Sequence, residues 1–373
     1  MTVDFYTIPQ QITLVMASLI SGSVSLLASL TIIFIIWRDR QKKLKFVYHR
    51  LLFAISILDV VVSLNFAFGF LAVPEGMFWG AQGNTASCEA SGFLQILFSA
   101  QGLYNFGLAI YYLIIIRLGK SQEFVSRYVE PYIHALSLCV PIGFGCWAIV
   151  TDVLNPHQFV GGWCGIAEYP SGCAPLGNCT RGAMADIIGG TLGIGIVLSS
   201  LIGIVIIMIM IICHVRCRRA AVTRYHSTRP QLDRTVIQTV RQAMLYIWVS
   251  IIPCSIMVIS IFVPRLLLAL LTKFICPLQG VFNLIIYVWP RYIAMKQKIG
   301  VDHSFLTTLR YIVVGEPRPE HTVMDVDDLA PELANPCSFR QQGYSPDPND
   351  EVESDVSNPN RDAESFCSNA EED

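Results

Sequence analysis

Seven apolar runs, each long enough to cross a bilayer, decide what this chain can fold into. They fall near residues 12–37, 50–73, 88–118, 131–153, 185–213, 239–263 and 266–290. About 20 helical residues span roughly 30 Å, the thickness of the hydrocarbon layer. Inside lipid every backbone N–H and C=O must find a partner in the protein, so such runs become helices. The expected fold is an all-α membrane protein, a seven-transmembrane-helix bundle. Charged residues make up only 14% of the chain, where soluble domains hold about 25%.

The connections predict the orientation. Arg38, Arg40, Lys42, Lys43 and Lys45 follow the first run, and Arg117, Lys120 and Arg127 follow the third. Arg216, Arg218, Arg219, Arg224, Arg229 and Arg234 follow the fifth, and Arg291, Lys296 and Lys298 follow the last. The opposite loops hold Arg181, Arg265 and little else. Basic loops stay in the cytoplasm. The N-terminus is therefore expected outside, as a short extracellular lead over residues 1–11. The first run is too long for a signal-peptide core and reads as a retained signal anchor. The localisation expected is the plasma membrane, multi-pass.

After Pro290, residues 291–300 alternate basic and apolar positions at helical spacing. This predicts a short amphipathic eighth helix within a juxtamembrane segment, 291–315. Residues 316–373 carry sixteen acidic and three basic residues without an apolar period, which predicts a disordered acidic C-terminal tail. Thr322, Ser345, Ser354, Ser357, Ser365 and Ser368 lie in it. Phosphates there would add negative charge and attraction for a basic partner, so an arrestin-like or endocytic adaptor is the expected partner of the tail.

The twelve cysteines form no CxxC pair and no zinc spacing. Cys88, at the outer end of the third run, and Cys164, Cys173 and Cys179, in the long loop 154–184, face an oxidising compartment on this topology, which favours bridges. A Cys88–Cys164 bridge is favoured, with Cys173 and Cys179 as the second pair. Four cysteines permit three connectivities, and sequence does not choose among them. Asn178 opens an Asn-Cys-Thr sequon on the side where glycans are added.

Several polar groups sit at membrane depth, where they are costly and usually functional. Asp59 shares a helical face with Ser56 and Ser63 in the second run. It is a candidate for binding a sodium ion or taking a proton, or for a structural bond to Asn283. Cys276, Gly280, Asn283 and Tyr287 share one face of the last run. Pro277 should kink that helix. Gln95, Ser99, Gly102 and Phe106 share a face of the third run, with Asn105 beside it. Gln95, Ser99 and Lys273 are the candidate ligand contacts. No repeats, phosphate loop or nucleophile–base–orienter set is visible, so the chain is not expected to be an enzyme or a repeat-built transporter.

The blocks Arg50-Leu-Leu-Phe-Ala-Ile-Ser56-Ile-Leu-Asp59, Cys88, Gln242-Ala-Met-Leu-Tyr246 and Pro277-Leu-Gln-Gly-Val-Phe-Asn283-Leu-Ile-Ile-Tyr287-Val-Trp-Pro290-Arg291 together resemble the G-protein-coupled receptors of protists and algae. These are similar to the slime-mould cyclic-AMP receptors and distantly to rhodopsin-like receptors. The resemblance covers roughly residues 12–300. It implies a receptor that answers an extracellular ligand by opening its inner face to a heterotrimeric G protein. It also implies a bridge from the third span to the next outer loop. Asp59, Asn283 and Tyr287 fall at its switch or ion positions, while Arg117 and Arg218 are candidate G-protein contacts.

The departures are specific. The arginine expected at the inner end of the third span is absent, and Arg117 lies a turn later. Asn283 and Tyr287 frame a motif that lacks its proline, and the sixth span has Trp248 and Pro253 without the usual arrangement. Two other seven-helix or multi-span readings compete. A retinal photoreceptor or pump needs a Schiff-base lysine, for which Lys273 is the only one in the last run. A small-solute transporter would need more ionisable groups at mid-membrane than Asp59 provides.

Overall fold

The computed structural model describes residues 6–157, 161–224, 244–245, 248–249, 251–260, 263, 265–299 and 310. The acidic tail and most of the basic loop between the fifth and sixth runs lie outside the described residues, as does the side chain of Arg218. The described chain is helical apart from one hairpin and its turns. Six helices are long and apolar enough to cross a membrane: Ile8–Arg38, Val47–Ala72, Thr85–Ile116, Glu130–Val150, Ile194–Cys217 and Leu266–Pro290. Of the sixth expected run, the described part includes a shorter apolar helix, Ile251–Ser260.

The burial pattern identifies the solvent. On the first helix Ser18, Ser21, Ser25 and Ser29 are buried, whereas Ile20, Val24, Leu27 and Phe34 are exposed. A water-soluble helix does the reverse. Serines turned inward and large apolar side chains turned outward fit a bundle whose surroundings are hydrocarbon. The chain is thus a helical, multi-pass membrane protein.

Breaks in the helices follow from local chemistry. The third span is two α-segments, Thr85–Ile96 and Phe98–Ile116. Asn84 caps its start by accepting the Ser87 N–H at 2.9 Å, while Ser87 Oγ accepts the Asn84 N–H at 2.7 Å. The last span is α-helical over Leu266–Ile275, tightens to a 3₁₀ turn over Cys276–Leu278, then resumes over Gln279–Ile299. Pro277 causes the break. Its missing N–H leaves the carbonyl four residues earlier, that of Lys273, without its helical donor. Ser21 of the first span donates to that carbonyl at 3.1 Å. Gly280 N–H donates to Ser25 Oγ at 3.0 Å. A Cβ on Gly280 would meet Ser29 Oγ at 2.1 Å and the Ser25 carbonyl at 2.8 Å. Only glycine permits this approach of first and last spans.

Beyond Pro290 the helix does not restart as a separate element. Residues through Ile299 continue the same helix, so an eighth helix distinct from the last span is not among the described elements. The long loop is more ordered than its glycines and prolines suggested. Strands β1 (Leu154–His157) and β2 (Trp163–Ile166) pair antiparallel within it. Leu154 and Cys164 of this hairpin lie against Gly92 of the third span. Two disulfides hold the region, Cys88–Cys164 with Cα atoms 5.3 Å apart and Cys173–Cys179 at 4.9 Å. The bundle therefore has a hairpin end and, opposite it, a basic end with Arg38–Lys45 and Arg117–Arg127.

Candidate functional site

Polar and charged groups lie inside the bundle at three levels. At mid-depth Asp59, 1% exposed, is gripped from two sides. Asn283 Nδ2 of the last span donates to Asp59 Oδ2 at 2.8 Å, and Gln101 Nε2 of the third span donates to Oδ1 at 2.5 Å. The expected approach of Asp59 and Asn283 is present. Ser56 is buried beside them, but its hydroxyl donates to the Leu52 carbonyl at 2.8 Å, within its own helix. Gln101 was not singled out by the sequence. Its spacing from Asn105, four residues on, puts both on one face, and that spacing is the signal that was available.

Among the described residues, the other amide oxygens of Asp59's two partners, Gln101 Oε1 and Asn283 Oδ1, are buried without a hydrogen-bond partner, as are Ser29 Oγ and both side-chain polar atoms of Asn105. Ser29 reaches this level because it abuts Gly280, one turn from Asn283. The Asp59 carboxylate and the amide carbonyls of Gln101 and Asn283 are oxygen donors, the type that a hard monovalent cation such as sodium takes. Tyr287 lies one turn below Asn283, buried, its ring edge-on to His49 at 6.0 Å.

At the hairpin end the chemistry is aromatic and cationic. Lys273, 1% exposed, places its ammonium 3.3 Å from the centroid of the Trp163 ring, which β2 carries inward. Trp163 packs tilted against Phe66 of the second span, ring centroids 4.7 Å apart, and Phe66 meets Phe98 of the third edge-on at 5.7 Å. His157 of β1 is beside Lys273; burial, and secondarily the lysine's charge, push it from the usual 6.5 down to about 4. Gln95 Oε1 accepts from Asn65 Nδ2 at 3.2 Å, and Asn65 is fixed in turn by Ser91 at 2.8 Å. Ser99 donates to the Ile96 carbonyl at 2.7 Å. Of the three candidate ligand contacts, then, two are held by hydrogen bonds within or between helices, and Lys273 meets an aromatic face and, among the described residues, no carboxylate.

At the basic end Arg50, from the second span, forms a bidentate pair with Glu130 at the start of the fourth, at 2.6 and 2.5 Å. Arg50 also donates to Ser126 Oγ at 2.7 Å and to the Leu44 carbonyl at 2.7 Å. His134 approaches Glu130 at 3.6 Å and is hydrogen-bonded to Tyr104 of the third span at 2.9 Å. This network joins three spans and was not legible in the sequence. Arg117 is exposed at the end of the third span, outside the network. Asn178 is exposed beside the Cys173–Cys179 bridge.

No protein-family model matches the chain, and no curated protein matches it.

Proposed function

We propose that this multi-pass membrane protein is a seven-span G-protein-coupled receptor of the plasma membrane, with its N-terminus and hairpin end outside. The observation that carries the reading is the grip on Asp59. One buried carboxylate ties the third span to the last through Gln101 and Asn283. It stands midway between a disulfide-tethered hairpin that covers one end and an ion-paired network that closes the other. A ligand that shifts the third span against the last at the hairpin end must strain this carboxylate. The basic end then rearranges, because Tyr104, on the same helix as Gln101, reaches the Arg50–Glu130 pair through His134.

On this reading a heterotrimeric G protein docks at the basic end, with Arg117 and Arg218 among its contacts, and the segment 291–315 lies along the inner leaflet. Sodium, held by Asp59 and the free amide oxygens, favours the resting arrangement by bridging the third and last spans. Asn178 carries a glycan, and the tail recruits an adaptor after phosphorylation.

The test is a ligand screen on cells expressing the full chain, read by G-protein activation. Asp59→Asn should abolish any sodium dependence of agonist affinity. Sodium sensitivity that persists in this variant removes the ion role. Surface expression with no G-protein response to any ligand class defeats the receptor reading. The retinal reading retains one observation, a lysine buried against aromatic rings. An unchanged absorbance spectrum after retinal is added excludes it.

A further inference from the structure

Two buried donors at the hairpin end, on Lys273 and Trp163, lack an acceptor among the described residues. The Lys273 ammonium touches the Trp163 ring, and among the described residues no carboxylate forms an ion pair with it. The indole N–H of that same Trp163 is buried and, among the described residues, has no hydrogen-bond partner. The surrounding side chains, Val62, Phe66, Phe98, Cys254 and Cys276, form one apolar cluster with Trp163. An aromatic face offsets only a minor part of what it costs to take an ammonium out of water. Buried cations in membrane bundles are otherwise paired, as Arg50 is here with Glu130.

We propose that Lys273 and Trp163 together form the seat of an organic monocarboxylate carried on an alkyl or aryl body. The inference deepens the receptor reading by naming its ligand class. The donors set the headgroup: one positive charge and one neutral N–H, on adjoining side chains, match a singly charged group with two oxygens. A dianion would leave a charge unbalanced, because His157, depressed to about 4 by burial, is neutral near pH 7 and adds no second cation. The cluster sets the body of the ligand. Its walls are ring faces, thiols and branched carbons, which offer an extended polar molecule no partners.

Binding of tritiated decanoate to the full chain in phosphatidylcholine nanodiscs tests this directly. Saturable binding is expected, displaced by unlabelled decanoate and by 3-phenylpropionate but not by decanol. Lys273→Met should weaken it about 10- to 100-fold, the size of a charge-assisted hydrogen bond, while Lys273→Arg keeps a measurable part. Trp163→Phe, which retains the ring and deletes the N–H, should weaken it less. Lys273→Met should also raise the melting temperature of the ligand-free protein, because it removes an unbalanced buried charge. The proposal is overturned if wild-type protein binds neither carboxylate, if decanol competes as well as decanoate, or if decyl phosphate binds more tightly than decanoate. A lowered melting temperature for Lys273→Met together with unchanged binding also overturns it, and makes the lysine structural. No G protein is present in these measurements. Carboxylate binding without a cellular response therefore counts against the receptor reading alone.

Discussion

Arg50 and Lys273 are both cations inside the bundle, yet their surroundings are opposite. Arg50 has a bidentate carboxylate, a hydroxyl and a backbone carbonyl. Among the described residues, Lys273 has the face of one indole and no carboxylate. A charge that is fully paired within the chain holds helices together and has no free valence for a visitor. A charge left with a ring face is poorly compensated until something else arrives. The same contrast divides the two ends of the molecule. The basic end is closed by internal ion pairs, whereas the hairpin end is closed by the Cys88–Cys164 bridge together with Arg181, which pairs with Glu89 and Asp152. The bridge and these pairs hold the hairpin in place without using Lys273 beneath it.

Breaking the covalent closure should have the largest effect. Cys88→Ala frees a hairpin tethered across 76 residues, and loss of a native bridge costs about 2–5 kcal/mol. The expected outcome is a severe drop in correctly folded surface protein, measured by cell-surface labelling. Wild-type surface levels would mean that the remaining contacts, among them Trp163 with Phe66, Leu154 with Gly92 and Arg181 with Glu89, hold the hairpin without the bridge.

Breaking the ionic closure comes next. Glu130→Gln leaves Arg50 half-paired in a mostly buried place. Removing one partner of a fully buried pair costs about 3–5 kcal/mol; Arg50 keeps a quarter of its side chain exposed, so about 1–3 kcal/mol is expected here. Thermal unfolding in detergent reads this. The double variant Arg50→Met/Glu130→Gln should be less destabilised than Glu130→Gln alone, because it leaves no orphan cation. If the double variant is the worse of the two, the pair stabilises by attraction rather than by mutual neutralisation.

The mid-level grip gives a smaller effect. Gln101→Leu deletes one bond to Asp59 and should cost about 1–3 kcal/mol, the range for hydrogen bonds to a charged acceptor. Gln101→Glu, which sets two carboxylates together, should cost more at neutral pH than at low pH.

The smallest effect separates the two ends by acidity. The folded state keeps His157 neutral, with its value at about 4 rather than 6.5. A depressed histidine contributes stability above the ordinary value, and this is lost as the pH falls toward 4. Melting temperature should therefore decline between pH 7 and pH 5, and His157→Gln should flatten that slope. An unaltered slope would place the acid sensitivity elsewhere.

How much of this the sequence revealed depended on the range of each interaction. Helix-length apolar runs depend on local composition, so the six described spanning helices fall where hydropathy puts them. The fifth helix runs on to Arg224 and the last to Ile299, past the ends of their apolar runs. Pro277 announced its break for the same local reason. The approach of Asp59 to Asn283 was legible because two polar groups in lipid have few partners to choose from. Gln101 escaped notice because a single glutamine in an apolar helix reads the same whether it binds a carboxylate or a backbone carbonyl. Arg50 with Glu130 was hidden for a different reason. Each sits at the end of a span, where charges usually mark the interface, and 80 residues separate them. The hairpin was obscured by the glycines and prolines of its own loop, and only its second strand explains why Trp163 reaches the bundle interior.

The serine seam between the first and last spans also has a consequence for biogenesis. Ser21 and Ser25 meet Lys273 and Gly280 across 252 and 255 residues of chain. The first helix enters the membrane long before its partner has been synthesised. Until then Ser21 is occupied by its own helix, through the Ala17 carbonyl at 2.8 Å. The site at Ser25 and Ser29 that receives Gly280 stays open. A chain that stops short of Leu266 would insert normally and still present a polar, serine-lined face to lipid. Completing that face is the last assembly event, which makes the seam a built-in inspection point at which unfinished copies differ from finished ones.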